Sequence, residues 1–397
     1  MTARSSEALT QAYMETLSAA ELTLSRAYTT GNHWLILWGL VVSALVTWII
    51  VRSGVLDRVY RKLESRSRTL RVFLVGVTFL VVNSILSLPW SLYQGWWRET
   101  QYGRTSQPLG DFLAQGGMAL VIFAVIGAFF LIGVYAMLRK AGRWWWAWSG
   151  LLVAAGAAFM LLLSPSLIEP LFNDFEPIPE GEVREAVLAL AKQSGVPKDR
   201  VFIYDGSRQS ENFTANVSGI GGSARIAISD VALGEASLDE VKAVTGHEVG
   251  HYVLGHVWRS LAIFAVLSML LFWLVDKLYA PAARLFGSDA PLEDIRSVPV
   301  LAFLFGLMLS LAQPVTNTMT RIGEREADRY SLETVGLPDA LASALIKTAE
   351  YRYPLAGPVE QAIFYTHPTV ESRVRSAMEW KVANPDRDMG AGPASEP

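Results

Sequence analysis

Residues 237–256 read SLDEVKAVTGHEVGHYVLGH, and the fold turns on how this stretch is understood. Ser237-Leu-Asp-Glu240 has the form of a capping box, in which the serine hydroxyl and the glutamate carboxylate satisfy free amides at a helix start. A helix is therefore expected from about Leu238 through His256. On it, His247-Glu248-Val249-Gly250-His251 sets two imidazoles four residues apart on one face, where neighbouring side chains can grip a single ion. Glu248, one step on, points elsewhere and is free to take a proton from a water that the metal makes acidic. Alone, this five-residue pattern is only moderately specific, because any helix can carry it by chance. Two further features favour the metal. The chain has five histidines, and His247, His251 and His256 fall within ten residues of one another while His367 lies in a separate motif. Gly250 also removes a side chain where a neighbouring element could pack against the ligand helix.

Working outward, the stretch from about Glu169 to Trp258 has the charge and periodicity of a water-facing fold. Val183 to Gln193 is helix-like, ends at Gly195 and is followed by Pro197 as a stop signal. Val201 to Tyr204 and Ala224 to Ser229 read as short strands joined through the glycine-rich Gly219 to Gly222. Downstream, Thr320-Arg-Ile-Gly-Glu324-Arg-Glu-Ala-Asp328 reads as a second acidic helix start. Glu324 can complete a His2Glu site, and Asp328, one turn later, can hydrogen-bond a ligand histidine and fix its tautomer. The competing reading is a solvated face in which Arg321, Arg325 and Arg329 pair with Glu324, Glu326 and Asp328.

Both flanks of this region are apolar. A membrane-spanning helix needs about 20 mostly apolar residues, because lipid cannot satisfy exposed backbone groups. Trp34 to Val51, Val72 to Leu92, Gly117 to Leu138 and Trp144 to Leu163 qualify. The run Trp144, Trp145, Trp146, Trp148 beside Arg143 suits a headgroup interface, with a packed core corner as the alternative. Leu261 to Tyr279 ends in Asp276 and Lys277, and Val298 to Ala312 is short, so either could lie against protein rather than lipid.

Composition agrees with a bilayer as the solvent for much of the chain: 51% hydrophobic, 18% charged and a mean hydropathy of +0.29. The net charge of -3 carries no basic excess of the kind phosphate neutralisation requires, so no nucleic-acid partner is expected. Cysteine is absent, which excludes disulfides, thiolate metal sites and cysteine nucleophiles, and leaves nitrogen and oxygen as metal ligands. The first 32 residues, with Glu7, Glu15 and Glu21 among polar neighbours, read as an exposed, partly helical lead-in rather than a signal peptide. The tail from Asp386 reads as disordered.

With these motifs in place the chain resembles the type I CAAX prenyl proteases, integral-membrane zinc endopeptidases. The likeness rests on Leu88-Pro89 to Tyr93 with Glu99 and Tyr102-Gly103, on Pro165 to Asn173, on Asp205-Gly-Ser207 and on Arg225-Ile226 to Asp230. It continues through His247 to His256, Pro314 to Asn317 leading into Arg321 through Asp328, and His367-Pro368 through Glu371 and Arg373. This resemblance implies a mainly α fold, a multi-pass transmembrane helical bundle with an inserted zinc-metalloprotease domain containing a small β-sheet. It implies one zinc ion per chain on His247, His251 and Glu324, with Glu248 as general base. Asp328 joins the catalytic set, and His367 and Arg373 reach the substrate carbonyl or its carboxyl terminus. From the residues alone, His367 before Pro368 could equally be a turn residue, and Arg373 could pair with Glu371 or Asp328.

The expected domains are a lead-in at 1–32, a membrane domain of about four spans at 33–168, a metalloprotease domain at 169–380 that includes apolar helices at about 259–280 and 297–313, and a tail at 381–397. The expected partners are the bilayer and a peptide or protein substrate, lipidated or membrane-inserted. Two departures from the family stand out. Where it offers Asn-Ala-Tyr to a substrate backbone, this chain has Thr214-Ala-Asn216-Val-Ser218-Gly219, although strand addition through backbone groups can persist. One span fewer than usual precedes the metal helix. The connection Arg52 to Arg71 carries Arg52, Arg58, Arg61, Lys62, Arg66, Arg68 and Arg71, which the positive-inside rule assigns to the cytoplasm. Four spans then put the metal helix outside, whereas the resemblance puts it inside. The rival functions are an inactive membrane scaffold of the same fold, against which the intact His247, Glu248, His251 and Glu324 argue, and a transporter, against which the scarcity of charge in the early spans argues.

Overall fold

The computed structural model describes residues 5–195, 200–219 and 223–387. Pro197, Ile220 to Gly222 of the glycine-rich link, and the tail from 388 lie outside the described residues.

Helix α1 (Ser6–Met14) is capped by Ser5 and leads to α2 (Ala19–Ser53). A second capping box, Ser18 with Glu21, starts α2 well inside the expected lead-in, so residues 19–32 are continuous with the first span. Nor is the lead-in wholly exposed. Tyr13 is buried against the C-terminal helices, and its hydroxyl donates to Asp339 Oδ1 at 2.8 Å. Gly54, at φ +61, turns the chain into the short basic α3 (Val55–Lys62). Three more long helical stretches follow: α4 (Arg68–Leu92) extended through a wide turn to α5 (Arg98–Gln101), then α6 (Leu109–Lys140) and α7 (Trp145–Leu163). These are four helices long and apolar enough to cross a membrane, at 35, 34, 32 and 30 residues including their terminal turns. They overrun the expected spans because hydropathy marks only the lipid-depth part of a helix that continues into water. Trp34, Trp38, Val121, Phe129 and Phe159 are exposed on them, as a lipid-facing surface requires. The tryptophan run divides between both readings: Trp145 is buried and donates from Nε1 to Asp276 Oδ1 at 2.8 Å, whereas Trp144 and Trp148 are exposed.

A small mixed sheet follows. Strands β1 (Phe175–Pro177), β2 (Val201–Tyr204), β3 (Ala215–Ser218) and β4 (Arg225–Ser229) lie in the order β1-β2-β4-β3, with β2 and β4 parallel and both edges antiparallel. Sequence periodicity picks out β2 and β4. It misses β1, which is three residues long, and β3, whose Ala215-Asn-Val-Ser218 lacks the apolar and aromatic run that marks β2. Helix α8 (Glu182–Ser194) packs through Val187 and Ala191 on β2 and β4, forming one core with α9 (Asp230–Glu235) and α10 (Leu238–Val253).

Helix α10 stops before His256. Gly255, at φ +67, breaks the chain, and His256 opens α11 (His256–Phe286), the fifth candidate span. A left-handed residue cannot continue a helix, and glycine adopts it without steric cost. α12 (Val298–Leu311) and α13 (Gln313–Thr334) meet at a bend of 51° and could together make a sixth span. The buried side chains of α12, among them Val300 and Leu304, join the core of the membrane bundle. Helices α14 (Pro338–Lys347), α15 (Pro358–Phe364) and α16 (Val370–Ala383) close the molecule over α13 and α10. Their core of Leu341, Leu345, Val374 and Met378 includes Tyr13.

Candidate metal centre

Two helices, α10 and α13, make the site, and glycine brings them together. A Cβ on Gly250 would stand 3.1 Å from Tyr330 Cβ and 3.2 Å from Ala327 Cα, and one on Gly246 would fall within 3.0 Å of Ser331 Oγ. Real side chains there would push α13 away, so the pair, one turn apart, forms a groove that admits the α13 backbone. Ser331 locks the contact by donating to the Ala243 carbonyl at 2.6 Å.

That approach sets Glu324 opposite the two histidines. Glu324 sits mid-helix rather than at a helix start, and its burial overturns the solvated-face alternative. Arg321 donates to the carbonyls of Gln361 and Tyr365, Arg329 pairs with Glu333, and Glu326 is taken by Arg259 at 2.7 Å. His247 Nε2 and His251 Nε2 are 3.1 Å apart, each 3.4 Å from a Glu324 oxygen, and one ligand atom from each residue lies within 4.8 Å of the others.

Behind them lies an orienting layer. His247 Nδ1 is 2.9 Å from Asp328 Oδ1, so an imidazole donating there directs the lone pair of Nε2 toward Glu324. Asp328 is in turn gripped by Arg373, Nε to Oδ2 at 2.7 Å and Nη2 to Oδ1 at 2.6 Å. His251 is held through Nδ1 by His256 Nδ1 at 2.8 Å, and His256 Nε2 stands 2.9 Å from Glu326 Oε2.

Burial disfavours charge on His247, but the hydrogen-bonded Asp328 and Glu324 outweigh it and raise the imidazole to about 10. The centre is thus built around surplus negative charge. Glu324 Oε2 is buried and makes no hydrogen bond, although His367 Nε2 stands 3.3 Å and Arg373 Nη2 3.6 Å away. A buried carboxylate with one oxygen that makes no hydrogen bond, set against two imidazole nitrogens, fits a divalent cation.

A cavity of about 210 Å3 opens on this face, lined by His247, Glu248, Glu324, His367 and the β3-leading residues Phe213 to Ala215. Burial raises the Glu248 carboxyl, while His247 and His251 pull the other way. Burial, then the Arg352 charge, lowers His367 to about 3, so its ring is neutral. Thr366 Oγ1 is 2.9 Å from His367 Nδ1, and a hydroxyl donating there leaves Nε2–H as a donor at the cavity.

Every expected site residue is therefore brought to one place: His247, His251 and Glu324 as a triangle that could hold a metal, Glu248, His367 and Arg373 on the cavity wall, and Asp328 behind. Sequence reasoning did not single out Arg352, which lines the cavity with no ion pair or hydrogen bond among the described residues. No periodicity could have found it, because it lies in the loop between α14 and α15. The orienting role of His256 was hidden by the expectation of an unbroken helix.

The family model described as Peptidase family M48 matches residues 177–381, and one described as CAAX prenyl protease N-terminal, five membrane helices, matches residues 1–174. Among the described residues of the latter stretch this chain has four candidate spans and the short α1. An uncharacterized metalloprotease, YhfN, of Bacillus subtilis is 26% identical over 91% of this chain and 86% of its own. The Arabidopsis thaliana CAAX prenyl protease 1 homolog is 27% identical over 84% of this chain and 79% of its own. The solved structure of S. mikatae Ste24p superposes with a TM-score of 0.74 at 20% identity, covering 94% of each chain.

Proposed function

The chain belongs to peptidase family M48, and on that premise we propose that it hydrolyses peptide bonds with one zinc ion held by His247, His251 and Glu324. It is a multi-pass membrane metallopeptidase. The single observation that carries the zinc reading is the buried Glu324 carboxylate set against two imidazoles, its Oε2, which makes no hydrogen bond, 3.4 Å from His247 Nε2 and its Oε1 3.4 Å from His251 Nε2. On this reading a membrane domain lies ahead of residue 169 and a peptidase domain runs from there to about 380.

Zinc, when bound, supplies Lewis acidity, polarising a carbonyl and making water acidic enough to lose a proton near neutral pH. The chain's own residues do the rest. Glu248, raised by burial, is suited to accept the proton of the attacking water and return it to the leaving amine. Neutral His367 donates from Nε2 toward oxygen charge that develops on the scissile carbonyl. Asp328 holds the His247 tautomer. Arg373 also lines the cavity but is committed to both Asp328 oxygens and acts as a positioning residue, which leaves Arg352, without an ion pair among the described residues, to meet a carboxylate on the substrate. The exposed edge of the sheet, β3, leads past the cavity, and a substrate strand can add to it through backbone groups. The substrates that suit such a site are membrane-associated or CAAX-type prenylated peptides, as the relatives' names suggest.

The deciding experiment compares the full chain with Glu248→Gln in detergent, reading zinc content and cleavage of unstructured and farnesylated peptides. Wild type holds one zinc and cuts, while the variant keeps the zinc and loses roughly 10²- to 10⁴-fold in kcat, the contribution of a general base. Zinc retained by both with no cleavage of any peptide favours the inactive scaffold; no zinc in either ends the proposal.

A further inference from the structure

On the face of the bundle away from the metal centre, three arginines from two helices, α4 and α6, line one cavity of about 230 Å3: Arg68, Arg71 and Arg139. Arg68 opens α4, Arg139 lies one residue from the end of α6, and the third wall is the 291–295 turn ahead of α12. Like charges gathered this way repel one another unless something negative sits among them.

The anions already present do not fill that role. Asp294 receives the Arg296 side chain at 2.8 and 3.0 Å as well as the Arg296 amide. Glu293 is exposed on the rim and makes no ion pair among the described residues. Arg68 and Arg139 have no hydrogen bond or ion pair among the described residues. Arg71 reaches only the carbonyls of Glu64 and Arg66, both at 3.4 Å, with its guanidinium over the Tyr60 ring at 4.8 Å. Its Nε is buried without any partner. Guanidinium groups converging with free donors match the oxygens of a phosphate.

The depth of the cavity identifies the source of that phosphate. It lies where two spans give way to polar connections, the level of lipid headgroups, and just along the bundle Phe73 of α4 meets Phe129 of α6 at 5.1 Å, with the Phe129 side chain exposed. We propose that Arg68, Arg71 and Arg139 form a binding site for the phosphate of an anionic phospholipid headgroup, with the acyl chains along the α4–α6 face.

The test uses the full chain in phosphatidylcholine nanodiscs with and without phosphatidylglycerol, reading retained lipid by native mass spectrometry and thermal stability in parallel. Arg68→Gln with Arg139→Gln removes charge from the cavity, and Arg58→Gln with Arg61→Gln removes as much from exposed α3 outside it. Phosphatidylglycerol should raise the Tm of wild type and of the α3 variant, while the cavity variant loses the shift and retains the lipid roughly 30-fold less tightly. Should the cavity variant fold poorly, Arg68→Lys with Arg139→Lys, which keeps the charge, retains the lipid and the shift. Equal losses in both glutamine variants would mean diffuse surface attraction, and an unchanged cavity variant would mean no site. Inorganic phosphate reproducing the full stabilisation would assign the pocket to a free anion. Each of these three results overturns the proposal.

Discussion

Asp328 shows how much at this candidate centre depends on a residue that stands behind the proposed metal ligands. Its two oxygens are shared between His247 Nδ1 and the Arg373 guanidinium, so it fixes a ligand's tautomer and neutralises a buried cation together. Asp328→Asn keeps the shape but loses the charge. Partners of this kind are worth about 10- to 100-fold in metal affinity or activity. The variant should therefore release zinc to a competing chelator at roughly 10- to 100-fold lower chelator concentration; unchanged zinc retention, with only thermal stability reduced, would leave Asp328 as no more than a partner for Arg373. The convergence of His247 and His251 on one helical face was legible because a helix with one cap and two histidines four apart admits few geometries. In the sequence the pairing of Arg373 with Asp328 is only one of two alternatives, beside Glu371, since the choice depends on α16 packing across α13, and no local pattern decides a contact between residues 45 positions apart.

Between elements, glycines decide how closely helices meet. The contact of α7 with α11 is a close example in the bundle: a Cβ on Gly150 would fall 2.7 Å from Met269 N and 2.8 Å from Met269 Cα, both backbone atoms that cannot swing aside. Small residues at such crossings are what membrane helices use to pack, lipid providing no hydrophobic drive between them. Gly150→Ala should force α7 and α11 apart and destabilise the protein by about 1–3 kcal/mol, the usual cost of overpacking. Gly156→Ala, on the same helix with open space at its Cβ, should be neutral. Thermal unfolding in one detergent distinguishes the two, and equal Tm values would show that α7 can shift without loss. The spans were recognisable from composition, but not their lengths. Ser18 with Glu21 starts α2 well before hydropathy rises, just as Ser237 with Glu240 starts α10, and only the second lay beside a motif that drew the eye. Periodicity does not mark β1, only three residues long, or β3, whose Ala215-Asn-Val-Ser218 is half polar; only the family resemblance over Thr214 to Gly219 points to β3.

Across the whole molecule, the chain path sorts charge by face. Four spans return the chain to the side on which it began, and two contacts agree: Tyr13 bonds Asp339 at 2.8 Å, and Arg26 pairs with Glu360 at 2.7 Å. The N-terminal helix, the sheet and the metal centre therefore share one face. The basic connection from Arg52 to Arg71, the end of α6 and the 288–296 turn share the other. The conflict between the positive-inside rule and the family resemblance thus reduces to which of these faces meets the cytoplasm. The absence of cysteine makes the measurement clean, because any introduced thiol is the only one. Ser65→Cys in the basic connection and Glu379→Cys on exposed α16 should be labelled by a membrane-impermeant maleimide from opposite sides of intact cells or right-side-out vesicles. Labelling of Glu379→Cys without lysis places the metal centre outside and upholds the charge rule; labelling of Ser65→Cys alone places it in the cytoplasm, with the basic face held outward against that rule. Both thiols reacting from the same side would contradict an even number of spans between the N-terminal helix and the metal domain, and with it the membrane architecture drawn from the fold.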